Sequence, residues 1–313
     1  MTVNDRNKSK TQDNQSLTID EVFSVIPDLI FLLDHDHKIL EYRAGNFSDL
    51  YLPPNEFLGQ SMCKVLPPDV AASIKEAINK CLSSDVIQLI EYELEVHGES
   101  KWFEARVSHS TSDRVIMLVR DISELKRKQE SIIYQSNHDP LTSLYNRAFA
   151  IDYLNQKLKE TSRNKIATSV FFIDVDDFKN INDQYGHEFG DKVLISVANA
   201  ITKTIRKKDL VARFGGDEFI VVLEDINNNQ SLELVAKKIF NQLSEQENKL
   251  HLPISVSIGI SSCQNGNVSS NKLISQADIA MYESKNLGKH TVSIFTPNMK
   301  VGAKFLFGVY LPF

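Results

Sequence analysis

The sequence predicts a protein of the α+β class, built from two domains that a helix joins. The chain has 313 residues, about twice the usual length of a single domain. Strand-like apolar runs and amphipathic helical stretches follow one another in both halves. In the second half a hairpin interrupts that alternation, which favours a central sheet flanked by helices over a purely parallel, doubly wound sheet.

The composition excludes several classes of protein. Hydrophobic residues make up 42% and charged residues 24% of the chain, which is typical of globular proteins and not of disordered or fibrous ones. The formal net charge of −6 argues against binding nucleic acid through bulk charge. Three scattered cysteines, Cys63, Cys81 and Cys263, are too few for a disulfide framework or a zinc site and indicate a reducing compartment.

The chain carries no sign of membrane insertion or secretion. The most apolar early run, Leu29–Leu33, stops at Asp34 and is far shorter than the ~20 residues that span a bilayer. Residues 1–16 are polar, lack the apolar core of a secretory signal, and are expected to form a disordered leader. We therefore predict a cytoplasmic protein without a membrane span.

Residues 17–122 are predicted to form the first domain from short strands and helices. Asp34–His37 is a turn-forming segment between two β runs, and polar and apolar residues alternate on both sides of His97-Gly98-Glu99, as in a hairpin. The predicted elements are strands Leu29–Leu33 and Lys38–Tyr42, a helix over Asp69–Leu82, hairpin strands Ile90–Val96 and Trp102–Val107, and a final strand Val115–Val119.

The order of these elements, followed by Asp121-Ile122-Ser123-Glu124, resembles a PAS sensor domain. The resemblance implies a fold that receives a signal, but it leaves the ligand unknown. Neither Cys63 nor Cys81 lies in the Asn-Cys-Arg-Phe setting of a photoactive flavin adduct. Each histidine of this domain fits a turn or a solvent-facing strand position, which we favour over haem ligation. These histidines are His35, His37, His97 and His109.

Residues 123–137 are predicted to form a linker helix. Apolar and polar residues recur around it at the 3-4-3 spacing of a short coiled-coil seam, made of Ile122, Leu125, Gln129 and Ile132. So few repeats leave two interpretations open. The helix either packs on its own chain, or it pairs two chains and passes a signal from the first domain to the second.

Residues 138–297 are predicted to form the second domain. Its predicted elements are helix Phe149–Glu160, strand Thr168–Val175, a short helix, a long helix Asp191–Arg206, hairpin Leu210–Leu223, helix Ser231–Ser244, strand Ile254–Ser261, helix Lys272–Asn286 and strand Thr291–Phe295. The remaining residues, 298–313, are very apolar for an exposed end. A further strand, a contact with a partner and a sequence artefact all stay open for this tail.

Acidic residues follow the strand that is predicted to lie at the centre of the second domain. Ser169–Ile173 is uniformly apolar, as a central strand is, and it is followed by Asp174-Val175-Asp176-Asp177. Open sheets bind ligands at the ends of such strands. A strand-terminal aspartate is also a common helix N-cap, so this signal alone is weak.

Two further acidic residues follow a pair of glycines in the predicted hairpin. Gly215 and Gly216 lie at the turn, where residues without a Cβ atom take positive φ and let phosphate oxygens approach the backbone. Asp217 and Glu218 come next. If adjacent strands bring Asp217 to Asp174, the two carboxylates form an oxygen-ligand site suited to Mg²⁺ and substrate phosphates. By itself, a glycine pair before acidic residues is most often just a turn.

Four motifs of the second domain occur in a fixed order. Arg213–Phe219 reads Arg-Phe-Gly-Gly-Asp-Glu-Phe, and the other three are Asp139–Arg147, Asp174–Asp191 and Tyr282–Lys289. Together they resemble the GGDEF family, the diguanylate cyclases, over about half of the chain. The resemblance implies a nucleotidyl-cyclase-like central sheet flanked by helices. It also implies a reaction that joins two GTP molecules into cyclic di-GMP and releases two pyrophosphates.

The resemblance implies roles for the residues around the metal and the reacting atoms. Asp174, the Val175 carbonyl and Asp217 stand where the family binds Mg²⁺, for which Mn²⁺ is a substitute. Glu218 stands where a carboxylate beside the metal helps to deprotonate the attacking 3′-hydroxyl. Arg213 corresponds to a residue near the reacting phosphate.

The resemblance also implies contacts with the nucleotide. Asn182 and Asp191 match the residues that read guanine, whose N1–H and N2–H₂ donors suit a carboxylate, whereas adenine offers the wrong pattern. Lys289 is more often arginine in the family, so bidentate phosphate geometry is in doubt there. The other implied contacts are His187 near the nucleotide, Gly215 and Gly216 at the hairpin, and Phe178, Lys179, Lys285 and Lys289 at the phosphates.

The implied partners are GTP, cyclic di-GMP and a second copy of the chain. One domain holds one GTP, so two domains have to face each other across a two-fold axis. Arg206 and Asp209 match the family's Arg-x-x-Asp product-inhibition site, where arginine forks onto phosphate or guanine. The alternative for Arg206 is an exposed basic helix end, which the helix dipole favours.

Two other functions compete with catalysis. A GGDEF-like receptor that binds GTP or product and signals by contact is the main alternative, but Asp174, Asp217 and Glu218 are all retained, which favours catalysis. A dimerisation scaffold driven by the PAS domain leaves the nucleotide and metal residues without a purpose. We expect no phosphodiesterase domain within the residues that remain.

Overall fold

A computed structural model describes residues 27–44, 50–111, 113–164, 166–226, 228–250, 253–264 and 267–299. The chain forms two compact units that divide between Ser131 and Ile132, a point inside the predicted linker helix. The predicted leader and residues 300–313 of the apolar tail lie outside the described residues. None of the helices in the described ranges combines the length and the apolar content needed to cross a bilayer.

The first unit contains one five-stranded antiparallel sheet in the order β2-β1-β5-β4-β3. Its strands are β1 (Leu29–Asp34), β2 (Ile39–Ala44), β3 (Gln88–Val96), β4 (Glu99–Thr111) and β5 (Arg114–Asp121). Its helices are α1 (Pro54–Phe57), α2 (Met62–Val65) and α3 (Pro68–Ser84). Proline opens α1 and α3, where its missing N–H costs no hydrogen bond.

The interior of this unit is apolar. Alternate residues of β1 and β5 point inward and pack with one face of α3, including Leu33, Met117 and Ile78. A cavity of about 50 Å³ lies among hydrophobic and tyrosine side chains. None of the four histidines singled out in the sequence is among the described residues that line it.

One buried charge in this unit is fully paired. Asp28 is 5% exposed, and Arg120 reaches its side chain from β5. Arg120 Nε donates to Oδ1 at 3.0 Å and Nη2 donates to Oδ2 at 2.7 Å. The Asp28 carboxylate raises the pKa of the Arg120 guanidinium, so this guanidinium stays charged throughout the physiological range.

Helix α4 (Ser123–Asn137) occupies the predicted linker. The Ser123 amide donates to Asp121 Oδ1 at 2.8 Å, which marks the start of the helix. Ile122 joins β5 to α4: it is buried, its amide donates to the Trp102 carbonyl, and its carbonyl accepts from the Lys126 amide. Leu125 and Ile132 are exposed. The predicted four-residue seam therefore does not start at Ile122.

The second unit is built on a five-stranded sheet in the order β10-β9-β6-β8-β7. Its strands are β6 (Thr168–Val175), β7 (Leu210–Gly215), β8 (Glu218–Glu224), β9 (Val256–Cys263) and β10 (Val292–Ile294). Its helices are α5 (Arg147–Asn164), α6 (Phe178–Tyr185), α7 (His187–Thr204), α8 (Asn229–Leu250) and α9 (Ser270–Asn286). Among the described strand pairs, β9 and β10 are parallel and the others antiparallel, which confirms the α+β class.

Both faces of this sheet are covered. Phe171 and Ile173 of β6 point to a core shared with α7 and α8, while Val170 and Phe172 point to a core shared with α5 and α9. Every residue of β6 is buried, as its unbroken apolar run predicts. The acidic residues at its end are therefore held by a rigid central strand.

The structure corrects the predicted long helix Asp191–Arg206. Helix α7 begins earlier, at His187, and ends at Thr204, after which Ile205 is extended. Gly186 separates α6 from α7 with φ +84°, a value that only glycine adopts readily. Arg206 consequently lies beyond the helix and not at its charged end.

Candidate active site

The ends of β6 and β8 bring two carboxylates together. In the antiparallel pairing of these strands, Asp174 lies directly opposite Glu218. Directly opposed residues have Cβ atoms about 5 Å apart. The Val175 amide donates to the Asp217 carbonyl at 3.2 Å, which ties the hairpin turn to β6. The predicted acidic residues thus meet at one edge, although the strand partner of Asp174 is Glu218 and not Asp217.

The turn between β7 and β8 consists of Gly216 and Asp217. Gly216 has φ +50°, and a Cβ atom there would meet nothing within 4 Å, so the turn is open on that side. Of the two glycines expected to take positive φ, Gly216 alone does so. Gly215 instead ends β7 beside a bulge that follows Arg213.

Arg213 braces this turn from inside the domain. Its Nε and Nη2 donate to the Gly216 carbonyl at 3.0 and 2.8 Å. Its Nη1 lies 3.2 Å from both oxygens of Asp139. Burial works to raise the pKa of Asp139, but hydrogen bonds from Thr142 and Arg213 hold it below its usual range. The described contacts of Arg213 thus hold the turn in place, and its place near a reacting phosphate stays a prediction.

Three carboxyl groups near the β6–β8 edge resist ionisation. Burial raises the pKa of Asp174 and of Asp278 to about 6, and that of Glu218 to about 7. The charges of Asp174, Asp278 and Asp217 raise the pKa of Glu218 further. Lys285 counteracts the rise at each of the three groups. A glutamate with a pKa near 7 accepts and releases a proton at neutral pH, as a general base must.

Lys285 and Asp278 both come from helix α9. They are seven residues apart, which places them on the same helix face two turns apart. Lys285 Nζ lies 2.7 Å from Asp174 Oδ1. The helix reaches the sheet because Gly259 has no side chain: a Cβ there would lie 2.0 Å from the Ala277 carbonyl oxygen and from the Met281 amide nitrogen.

The turn after β6 is held by a second set of polar contacts. Asp176 is 4% exposed and accepts hydrogen bonds from Ser257 Oγ at 2.7 Å and from the His290 amide at 3.3 Å. Asp177 has φ +55° and pairs with Lys289, whose Nζ lies 2.7 Å from both of its carboxylate oxygens. Lys285 and Lys289, predicted as phosphate contacts, are thus each paired with an aspartate.

The predicted guanine readers lie on neighbouring helices. Asn182 is on α6 and Asp191 is on α7, and the corner at Gly186 folds one helix against the other. Gly190 lies under Asn182, because a Cβ at Gly190 would be 2.0 Å from Asn182 Oδ1. Asn182 is half-buried, while Asp191 is exposed.

The other predicted nucleotide residues surround this corner. His187 begins α7 and is exposed. Phe178 begins α6, where its ring packs against the core, and Lys179 beside it is exposed.

The predicted product-inhibition residues form a closed turn. Asp209 Oδ2 accepts from the Arg206 amide, and its Oδ1 accepts from the Glu224 amide, both at 3.2 Å. The Arg206 side chain is exposed. Tyr153 of α5 supports the turn, donating to Glu224 Oε1 at 2.7 Å and lying 3.1 Å from the Lys208 carbonyl. The arginine is available to a ligand, whereas the aspartate is engaged with backbone amides.

The chemistry of the β6–β8 edge fits a hard divalent cation. Within the described ranges, no three His, Cys, Asp or Glu side chains are already arranged around one metal position. Asp174, the Val175 carbonyl and Asp217 nevertheless provide oxygen donors of the kind that Mg²⁺ prefers. Burial first, and neighbouring carboxylates second, raise the pKa of Asp174 and of Glu218, and a cation at this edge would stabilise their ionised forms.

Comparison with known families decides the affiliation of the chain. The family described as "Diguanylate cyclase, GGDEF domain" matches residues 136–291, and the PAS fold family matches residues 23–127. The chain is a GGDEF-family protein with an N-terminal PAS domain. The resemblance inferred from the sequence is confirmed.

Several relatives share this GGDEF domain. Diguanylate cyclase DosC of Escherichia coli (strain K12) is 33% identical over 193 residues, which are 61% of this chain and 41% of DosC. Cyclic di-GMP phosphodiesterase PdeR of the same strain is 29% identical over 290 residues, 90% of this chain and 43% of PdeR. The chain thus spans less than half the length of these curated relatives.

A solved structure supports the fold of the GGDEF domain. The coiled coil and GGDEF domain of DgcB from Caulobacter crescentus, crystallised in complex with c-di-GMP, is 26% identical to this chain. The match covers 55% of this chain and 93% of the DgcB chain, with a TM-score of 0.50.

Sequence reasoning missed three residues of the GGDEF site. Asp278 gave a signal that went unused, since it precedes Lys285 by two helical turns. Asp139 was recognised as part of a motif but not as the partner of Arg213. Gly190 gave no signal, because its contact with Asn182 depends on how two helices pack.

Proposed function

We propose that this GGDEF-family protein is a diguanylate cyclase, which condenses two GTP molecules into cyclic di-GMP and two pyrophosphates. The observation that carries the proposal is the opposition of Asp174 and Glu218 at the β6–β8 edge, beside the open turn at Gly216. The relative DosC, named a diguanylate cyclase, supports it.

In the proposed reaction, Glu218 is the general base. With a pKa of about 7, it accepts the proton of the GTP 3′-hydroxyl. The 3′-oxygen forms a bond to the α-phosphorus of the other GTP, and the bond from that phosphorus to the pyrophosphate oxygen breaks. A second step of the same kind, in which the 3′-oxygen of the second nucleotide attacks the α-phosphorus of the first, closes the ring and releases the second pyrophosphate. Asn182 and Asp191 hold guanine and thereby fix the position of the nucleotide. Most of the rate acceleration comes from holding the 3′-oxygen and the α-phosphorus in line.

Asp174, the Val175 carbonyl and Asp217 hold Mg²⁺ or Mn²⁺ in this proposal. A divalent cation held by these residues would neutralise charge on the phosphates and would make the 3′-hydroxyl more acidic. When GTP binds, Lys285 releases Asp174 and Lys289 releases Asp177, and each ammonium group then contacts a phosphate oxygen. Their present positions beside these two aspartates put them within reach of this edge.

Each domain supplies half of the reaction centre, so the active form is a two-fold symmetric homodimer. The PAS domain regulates the encounter through α4, whose Leu125 and Ile132 are exposed. Cyclic di-GMP binds at Arg206 and Asp209 as an inhibitor. Because GTP is the substrate and all three cysteines are free, we place the protein in the cytoplasm.

Incubating the full chain with GTP and Mg²⁺ tests this proposal. We expect cyclic di-GMP and pyrophosphate in a ratio of one to two, measured by mass spectrometry and a pyrophosphate assay. The matched control is Glu218→Gln, which keeps size and polarity and removes the base. Wild-type protein that binds GTP without forming product contradicts the proposal.

A nucleotide receptor without turnover is the second candidate. It is favoured by the pairing of Lys285 with Asp174, which neutralises one proposed metal ligand, and by the relative PdeR, which is named a cyclic di-GMP phosphodiesterase and not a cyclase. Binding of GTP or cyclic di-GMP by both wild-type and Glu218→Gln protein, with product from neither, identifies this function.

A further inference from the structure

The corner between α6 and α7 contains a glycine that its backbone conformation does not explain. Gly190 is the fourth residue of α7 and lacks the positive φ seen at Gly186 and Gly216. Glycine inside a helix is disfavoured relative to alanine, so some other constraint has to account for it. Gly190 is buried, which points to close packing.

The packing partner of Gly190 is the side chain of Asn182. A Cβ atom on Gly190 would lie 2.0 Å from Asn182 Oδ1 and 3.0 Å from its Cγ. The next nearest atom is Cζ of Phe178, at 3.2 Å. Phe178 and Asn182 are four residues apart, on the face of α6 that packs on α7. The bare Cα of Gly190 is therefore the surface against which the Asn182 amide lies.

A methyl group at position 190 would act mainly on Asn182. The nearest atom it meets is the end of a short polar side chain, which can rotate, and not a backbone atom. Gly259 is different, because a Cβ there meets the Ala277 carbonyl and the Met281 amide at 2.0 Å. Gly190→Ala is thus expected to keep the fold and turn Asn182 away, whereas Gly259→Ala would have to move a helix.

We propose that Gly190 is a positioning residue for nucleobase specificity, which holds the Asn182 amide in the orientation that reads guanine. The inference rests on the proposed function, in which Asn182 and Asp191 contact the base. Asp191 directly follows Gly190, so one turn of α7 supplies one reader and orients the other. A base is discriminated only if its partners are fixed before it arrives, since a rotating amide satisfies several hydrogen-bond patterns.

The test uses full-length wild type, Gly190→Ala, Asn182→Ala and the double variant. Dissociation constants for GTP and for ITP, which lacks the 2-amino group of guanine, are measured by calorimetry with Ca²⁺ as the divalent ion. We expect Gly190→Ala to weaken GTP binding about tenfold, the effect of one hydrogen bond to a base. We expect the preference for GTP over ITP to fall to that of Asn182→Ala. A purely structural role would not change this preference.

The double variant separates the proposed contact from general damage. If the methyl group acts through Asn182, then Gly190→Ala changes GTP affinity less than about twofold when Asn182 is already alanine. Equal losses in both backgrounds overturn the inference, and so does an unchanged GTP preference in Gly190→Ala. If Gly190→Ala does not fold, recovery of the fold in the double variant supports the contact, and failure of both variants overturns it.

The inference and the proposed function fail in different ways. Wild-type protein that binds neither GTP nor cyclic di-GMP overturns both. Wild-type protein that prefers GTP, with Gly190→Ala showing the same preference, overturns the role of Gly190 alone.

Discussion

The two units each bury a carboxylate, but they balance its charge differently. In the PAS unit, Asp28 is 5% exposed and both of its oxygens bind one guanidinium, that of Arg120. In the GGDEF unit, Asp174 is 7% exposed, and its ammonium partner Lys285 also compensates Glu218 and Asp278. Three acids share one cation there.

This difference in charge balance distinguishes Asp28, whose charge stabilises the fold, from Asp174, whose charge is available to a ligand. A completed bidentate pair gains nothing from a further ligand, so Asp28 and Arg120 serve the fold. A group of acids with too little positive charge is less stable than it would be with a bound cation, and such groups are typical of active sites. Removing a carboxylate charge should therefore have opposite consequences in the two units.

The largest expected effect is on catalysis. Glu218→Gln should reduce cyclic di-GMP formation by about 10²–10⁴-fold, the usual contribution of a general base. Because the change removes a repelling charge, the free energy of unfolding should stay equal or rise. Product assays and denaturant titration measure the two quantities. Wild-type turnover in the variant would show that Glu218 is not the base.

The next effect is on stability in the PAS unit. Asp28→Asn should lower the free energy of unfolding by about 2 kcal/mol, because it leaves Arg120 without its counter-charge. The loss stays below that of a fully buried pair since the Arg120 side chain is 52% exposed to water. Denaturant titration measures it, with Asp174→Asn as the matched change. If Asp174→Asn costs as much as Asp28→Asn, the distinction between the two sites is wrong.

The pH dependence of the GGDEF unit should follow from its raised pKa values. Asp174, Glu218 and Asp278 bind protons more tightly in the folded state than in the unfolded one, where their pKa values are near 4. Their contribution to stability is thus present at low pH and is lost as pH rises through about 6 to 7. Melting temperature measured from pH 5 to 8 should reveal this loss.

Two controls sharpen the pH experiment. Glu218→Gln should show a smaller decrease of the melting temperature with pH, because one of the three titrating groups is gone. Mg²⁺ should stabilise wild-type protein more at pH 8 than at pH 5, since it competes with protons for the same carboxylates. A Mg²⁺ effect of equal size at both pH values would contradict this explanation.

The smallest expected effect concerns the shared cation. Lys285→Met should lower the free energy of unfolding by about 1 kcal/mol at pH 8, where Asp174 is ionised and loses its partner. At pH 5 the acids are protonated and the loss should vanish. Denaturant titration at both pH values measures the difference. A loss that is the same at both would mean that Lys285 stabilises the domain by packing alone.

Local patterns predicted the part of the GGDEF site that local structure builds. An apolar run ending in Asp174 and a glycine turn before Glu218 were enough to place each acid at the end of its own strand. The pairing of β6 with β8, which are not consecutive in the chain, then sets the two acids opposite each other. The surroundings of these acids depend on long-range packing. Asp278 reaches the site only because α9 lies directly on β9 at Gly259, a contact without a sequence periodicity.

The same limit explains two predictions that failed in detail. Ile122 fits a helical seam by spacing, but its amide donates to the Trp102 carbonyl and its side chain is buried, so it joins β5 to α4 instead of lying on an exposed helix face. Arg206 fits the end of a long helix, but the chain leaves the helix at Thr204 and Asp209 caps the following turn. In both cases a hydrogen bond outside the helix, to the Trp102 carbonyl or to the Asp209 side chain, outweighs the periodic pattern of the sequence.

The seating of α9 on Gly259 has a mechanical consequence. Asp278 and Lys285 are separated by about 10.5 Å along the helix axis, and neither can approach the sheet edge independently by backbone movement. A displacement of α9 that moves the Lys285 ammonium away from the β6–β8 edge also changes the distance between the Asp278 carboxyl group and that edge. Because α9 moves as one body, the contact at Gly259 sets the position of both charges relative to the β6–β8 edge.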